Sequence, residues 1–253
     1  MIKLFHKILS IVFLAITLSG CGGHQKTFIA LSPELKQQIG STDVYLEECE
    51  QKISAETEKS NMGLESGSLL LMLADSAIES NRQRAIEKAI QDIQKELETY
   101  ELRQKFSDIM AHELRTTHWL HVHNVSYMSK LDEKAVKRVL ANASADAVLT
   151  GSFEYKLNQS LDAMTGTLYI TLYPASPKIK NILGARDPLK KPILKFHITA
   201  TEKLRHKGSE QDENVYMWVK DNGLHLKNAL DNIINRIVID LKRRLQNPDH
   251  IPK

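Results

Sequence analysis

The sequence is short of cysteine, short of net charge and empty of familiar catalytic signatures. It has two cysteines in 253 residues, Cys21 and Cys49. If Cys21 is modified, as argued below, Cys49 has no intramolecular partner even in an oxidising compartment. A buried or hindered thiol is the favoured reading and an intermolecular disulfide the other; neither makes a catalytic cysteine without a placed base. The formal charge is +3 and falls to +1 once Lys3 and Lys7 are removed. A balance that close to neutral suggests no nucleic acid and no strongly charged partner. There is no His-Glu-x-x-His, no Gly-x-Ser-x-Gly elbow, no phosphate-binding glycine loop and no paired-carboxylate signature. An enzyme is therefore not expected, and no cofactor is implied. No internal repeat is evident. The apolar run from Ile8 to Leu18 is about half the roughly 20 residues that a membrane-spanning helix needs.

That short run makes sense as an export signal. Lys3 and Lys7 form a basic start, the apolar stretch is interrupted only by Ser10 and Thr17, and small residues follow. This order describes a secretory signal. The residues Leu18-Ser19-Gly20-Cys21 resemble the lipobox of bacterial lipoproteins. The resemblance covers the first 21 residues. It implies diacylglyceryl transfer to the Cys21 thiol, cleavage between Gly20 and Cys21, and acylation of the new α-amino group. Two or more acyl chains make a stable anchor where one is marginal. Gly22, where an aspartate would favour inner-membrane retention in enteric-type bacteria, reads as an outer-membrane address on the periplasmic side.

Cleavage leaves 233 residues, with apolar content for a core from Phe28 onward. The expected division is a signal peptide at 1–20, a lipidated tether at 21–41, one periplasmic domain at 42–247 and a tail at 248–253. Gly22, Gly23 and Pro33 mark the tether as a region of broken structure. Val44, Tyr45 and Leu46 suggest a first strand within 42–54, and residues 55–68 read as a loop. Leu69 to Ala74 form a dense apolar run. Ile86, Ile90, Ile93, Leu97 and Tyr100 then recur at helical spacing, and a second helical piece carries Phe106, Ile109, Met110 and Leu114. At Trp119–Val125 the period changes, which predicts a strand with His121 and His123 on one face. Asp132 is placed to cap a helix carrying Ala135, Val136, Val139 and Leu140. Strands are expected over 145–157, 164–173 and 193–204. In the second, Leu168, Ile170 and Leu172 face one way and Thr167, Tyr169, Thr171 and Tyr173 the other. A Pro- and Lys-rich loop fills 174–192. Asn222-Gly223 marks a stop, and a last amphipathic helix runs from 224 to 246. This order predicts an α+β fold: a mixed or antiparallel sheet covered on one face by helices, with a long N-terminal helical segment and a closing C-terminal helix.

From Trp119 to Leu245 the chain resembles a group of periplasmic lipoprotein domains. The group includes the curli secretion lipoprotein, the lipoprotein activator of a penicillin-binding protein and the N-terminal domain of the Tol-system propeller protein. The points of contact are Leu131-Asp132-Glu133, the segment Ala145-Asp146-Ala147-Val148-Leu149-Thr150-Gly151-Ser152, the following strand pair and the closing helix. The resemblance implies that the Ala-Asp segment is a packing motif at the start of a buried strand. Gly67-Ser68-Leu69-Leu70 and Ala77-Ile78-Glu79-Ser80-Asn81-Arg82 are similar to segments of further bacterial lipoproteins with no assigned activity.

Several residues could carry chemistry. His121 and His123, with His112, His118 and Glu113 nearby, suit a zinc-like metal only if helix and strand converge to supply a third ligand. The other reading is a solvent-facing histidine pair. Ser152 lies in Thr-Gly-Ser-Phe and not in an elbow. Asp146 reads as a turn residue and Glu154 as a strand-face residue. Lys178, Lys180, Arg186, Lys190 and Lys191 form a basic loop that suits anionic headgroups or, more ordinarily, water. The Leu69–Ala74 run is either core or a docking surface. The expected function is a non-enzymatic envelope module bound to the membrane by lipid and to a protein partner. Alternatives are a subunit of an oligomeric secretion or pore complex, and a metal-binding periplasmic protein.

Overall fold

The computed structural model describes residues 31–49, 53–55, 88 and 90–246. The signal segment, Gly20, Cys21 and the Leu69–Ala74 run lie outside the described residues, as does the helical pattern before residue 88.

The chain folds earlier than the tether reading allows. Pro33 opens α1 (Pro33–Gln38) at a position where its missing N–H costs nothing, and the Ser32 hydroxyl accepts from Leu35 N at 3.2 Å. Leu31, Leu35 and Ile39 are buried in the main core. The expected tether over 21–41 is thus corrected from Leu31 onward: an apolar stripe at steps of four belongs to the domain. The first strand is also shorter than expected. β1 (Thr42–Glu47) stops before the core cysteine Cys49, and β2 (Ser54–Ala55) pairs separately, further along β4 (Ala147–Leu157).

Residues 90–97 are helical and bury Ile93 and Leu97. In α2 (Leu102–Thr116), Leu102, Phe106, Met110 and Leu114 recur every fourth residue and are all buried. A 3-10 turn (His118–Leu120) and β3 (Val122–Met128) follow. The strand expected from Trp119 is corrected here. His121 ends the turn in the left-handed region (φ 45°), so the extended chain begins only at Val122. α3 (Glu133–Asn142) starts as expected, with Asp132 Oδ1 accepting from Ala135 N at 2.9 Å. β4, β5 (Ala163–Pro174) and β6 (Leu194–Lys203) form an antiparallel meander. The loop expected at 174–192 contains α4 (Pro177–Leu183), capped by Ser176 and closed by Gly184 at φ 59°. α5 (Gln211–Gln246) is broken at Lys220–Gly223, where Asp221, Asn222 and Gly223 are successively left-handed. The stop expected at Asn222-Gly223 is this break; the limb before it buries Val215 and Trp218, and was not expected. A Cβ on Gly223 would lie 2.9 Å from the Glu96 Cβ, so glycine is needed there for space as well as for φ.

The sheet order is β3-β1-β4-β5-β6, with β2 also on β4; β3, β1, β2 and β4 run parallel, and the β4-β5 and β5-β6 pairs are antiparallel. This mixed sheet with helices gives the α+β class expected from sequence. The order also explains the layers. The β1→β3 connection crosses one way and the β3→β4 connection returns over β1. Parallel crossovers share one hand, so reversing direction sends the second to the opposite face. The helical residues 90–97 and α2, in the first connection, accordingly join the large core around Leu149, Phe153, Leu168, Ile170, Phe196 and Ile233, and α5, after β6, packs there too. α3 forms a smaller cluster on the other side: Val136, Val139 and Leu140 with Val148 and Ala175. Helical cover is therefore not confined to one face.

Candidate functional site

Alternation along three strands makes the site. Odd-numbered β4 residues and even-numbered β5 and β6 residues enter the large core. Their neighbours point the other way. α3 covers the end of this second face at Val148, and the remainder is polar. Across it the register aligns Ser152, Tyr169 and His197; Glu154, Thr167 and Thr199; and Lys156, Thr165 and Thr201.

The groups are bonded to one another. Tyr169 OH donates to Glu154 Oε1 at 2.7 Å. The Tyr169 and His197 rings lie 6.1 Å apart. Thr165 and Thr201 hydroxyls meet at 3.0 Å, and those of Thr167 and Thr199 at 3.3 Å. Tyr169 is 43% exposed in the middle of this face. Its hydrogen bond to the Glu154 carboxylate, then partial burial, then the Glu154 charge hold the phenol above its ordinary pKa. Nearer α3, burial pushes the Tyr173 phenol up, against an opposing effect of the Thr171 and Thr150 hydroxyls. The face presents donors, acceptors and the exposed Tyr169 ring on a paired sheet. That suits recognition of a surface. Among the described residues no hydrogen bond pairs Ser152 on this face with a base.

Beside it lies a cleft of about 490 Å³ between the β1 and β2 pairings on β4. Glu47, Glu48, Ile53, Ser54 and Ser152–Tyr155 line it, and Glu48 meets Arg103 at 3.3 Å. Ser152 and Glu154 belong to both cleft and face. Sequence reading missed the cleft, because it arises from pairings between segments a hundred residues apart.

The two histidines named from sequence are not a strand-face pair. His121 lies in the turn, and a register shift beside Thr42 and Asp43 displaces His123. His123 Nδ1 is 3.3 Å from Asp43 Oδ1, with its side chain 71% exposed. Among the described residues no group of three or more His, Cys, Asp or Glu side chains could hold a metal ion. Asp146 ties two chain segments together. Its carboxylate accepts from Gly40 N at 2.9 Å, and its carbonyl accepts from Ala175 N and Ser176 N. In the basic loop, Lys178 donates to Gln38 O at 3.0 Å and Lys191 to Leu183 O. These two cations brace backbone. Among the described residues no helix is long and apolar enough to cross a membrane.

No protein-family model matches the chain, and no curated protein does. Among solved structures, the chain is similar to a PelC dodecamer from Paraburkholderia phytofirmans at 13% identity, covering 81% of this chain and 89% of that one, with a TM-score of 0.29. A hypothetical protein, CT253, from Chlamydia trachomatis is similar at 9% identity, covering 81% and 98%, with a TM-score of 0.33. Likeness at that level carries no argument about what this chain does.

Proposed function

We propose that this chain is an envelope lipoprotein, held to the outer membrane by lipid on Cys21 and acting as a non-catalytic docking module for a protein partner. The observation that carries the proposal is Leu18-Ser19-Gly20-Cys21, following a basic start and an apolar run too short to span a bilayer. The folded domain supports a docking role through its open sheet face, where Glu154 with Tyr169 and two threonine pairs present hydrogen-bonded polar groups on paired strands. Support for a non-catalytic role is that Asp146, the best-placed acid in the sequence motif, is engaged with the Gly40 amide.

Intact mass and membrane fractionation of the parent beside Cys21→Ser test the anchor. A cleaved, triacylated form in outer-membrane fractions, lost in the variant, is expected. An uncut precursor, or unchanged fractionation of the variant, overturns it. A photo-reactive residue at His197 tests docking in the same cells. It should give a discrete adduct that the same residue placed at Lys134, on α3, does not.

A further inference from the structure

β6 ends the sheet, pairing among the described residues with β5 alone. In an antiparallel pair, residues alternate between those whose N–H and C=O both face the neighbour and those whose groups both face away. Leu204 N donates to Asp162 O at 2.9 Å, which fixes the phase. Lys195, His197, Thr199, Thr201 and Lys203 therefore turn their N–H and C=O outward. Such a row is a template for another strand.

Two of those carbonyls are occupied from α5. Arg244 Nη1 donates to His197 O at 3.3 Å, and Arg236 Nη1 to Thr201 O at 3.0 Å. The spacing fits: eight helical residues rise about 12 Å, and four strand residues about 13 Å. Both arginines are held in place. Arg244 Nε meets Asp240 Oδ2 at 2.7 Å, and its guanidinium lies over the Phe196 ring, 5.6 Å from the centroid. Arg236 meets Glu202 at 3.1 Å. Between the two, the Thr199 carbonyl receives no hydrogen bond from the described residues, and Ile239 on the intervening turn of α5 is 69% exposed.

We propose that Arg236 and Arg244 close the β6 edge to strand pairing, and that the partner they exclude is the β6 edge of a second copy of this chain. An antiparallel pairing centred on Ile198 sets His197 opposite Thr199 and Lys195 opposite Thr201. No like charges face each other in that register, whereas centring on Thr199 would oppose Lys195 to Lys203. The edge is self-complementary in one register and is blocked by side chains that reach its carbonyls.

The test is light scattering of the full chain in one detergent buffer, reading protein mass per particle against concentration. Arg236→Ala/Arg244→Ala should rise toward twice the parent's mass. Adding Thr199→Pro should return it to the parent's value, since proline there removes an outward N–H and no backbone bond to β5, at the cost of the side-chain contact with Thr167. A folded double variant with the parent's mass at every concentration overturns the proposal. So does association that Thr199→Pro leaves unchanged, because another surface would then be responsible. If the double variant does not fold, Arg236→Ala alone is read by the same criteria; it leaves the Arg244 contacts with Asp240 and Phe196 intact.

Discussion

The two faces of the sheet are made from the same strands and do opposite work. On β5, Leu168 is fully buried against the large core, while its neighbours Thr167 and Tyr169 turn to the polar side. One face is fixed by apolar area and tight contact. Gly166 sits where a Cβ would come within 2.5 Å of Ile233, so even a methyl group is excluded there. The other face is tied by single hydrogen bonds between hydroxyls, a weaker and more replaceable kind of order. The difference teaches where stability resides in this chain: changes on the first face should unfold it, and changes on the second, the proposed docking face, should leave it folded.

The largest expected effect breaks the comparison directly. Leu168→Ala should cost about 3 kcal/mol through lost transfer energy and the cavity left behind. Val139→Ala, in the small α3 cluster, should cost about 1.6 kcal/mol for two buried methylene equivalents. Urea unfolding of the two variants measures both, and equal losses would mean that the second face carries as much of the fold as the first.

The smallest effect concerns protons. Glu154→Gln removes the carboxylate that chiefly raises the Tyr169 pKa, so the phenol should titrate closer to its ordinary value, as read by ultraviolet absorbance. The sign for stability follows. A phenol raised in the folded state contributes stability that is present below its unfolded pKa and is lost as pH rises through the folded one. Tyr100 is a stronger case: burial first, then its hydrogen bond to Asp231 and that residue's charge, push it up. Tyr100→Phe should therefore flatten the alkaline loss of stability more than Glu154→Gln does.

What could be read from sequence was local. Asp132 announces α3, the spacing of Phe106, Ile109, Met110 and Leu114 announces α2, and the Thr-Tyr alternation of β5 announces half of the polar face. The rest depends on partners far away in the chain. Nothing near His121 reveals its left-handed φ, and nothing in β3 reveals the register shift against β1. The first limb of α5 has only Val215 and Trp218 as buried apolar signals, too few for periodicity to register. In sequence, Arg236 lies off the apolar stripe of the last helix and Arg244 sits where it complements the helix C-terminal dipole; only the structure shows β6 beneath them.

The burial of Leu31 sets the length of the leash. With Cys21 as the proposed anchor, the chain from lipid to domain is ten residues and spans at most about 35 Å when fully extended. A tether running to residue 41 would have allowed roughly 70 Å. The near side of the domain would then stay within a layer of about 35 Å next to the bilayer. Any partner it meets must itself lie in that layer or reach down into it.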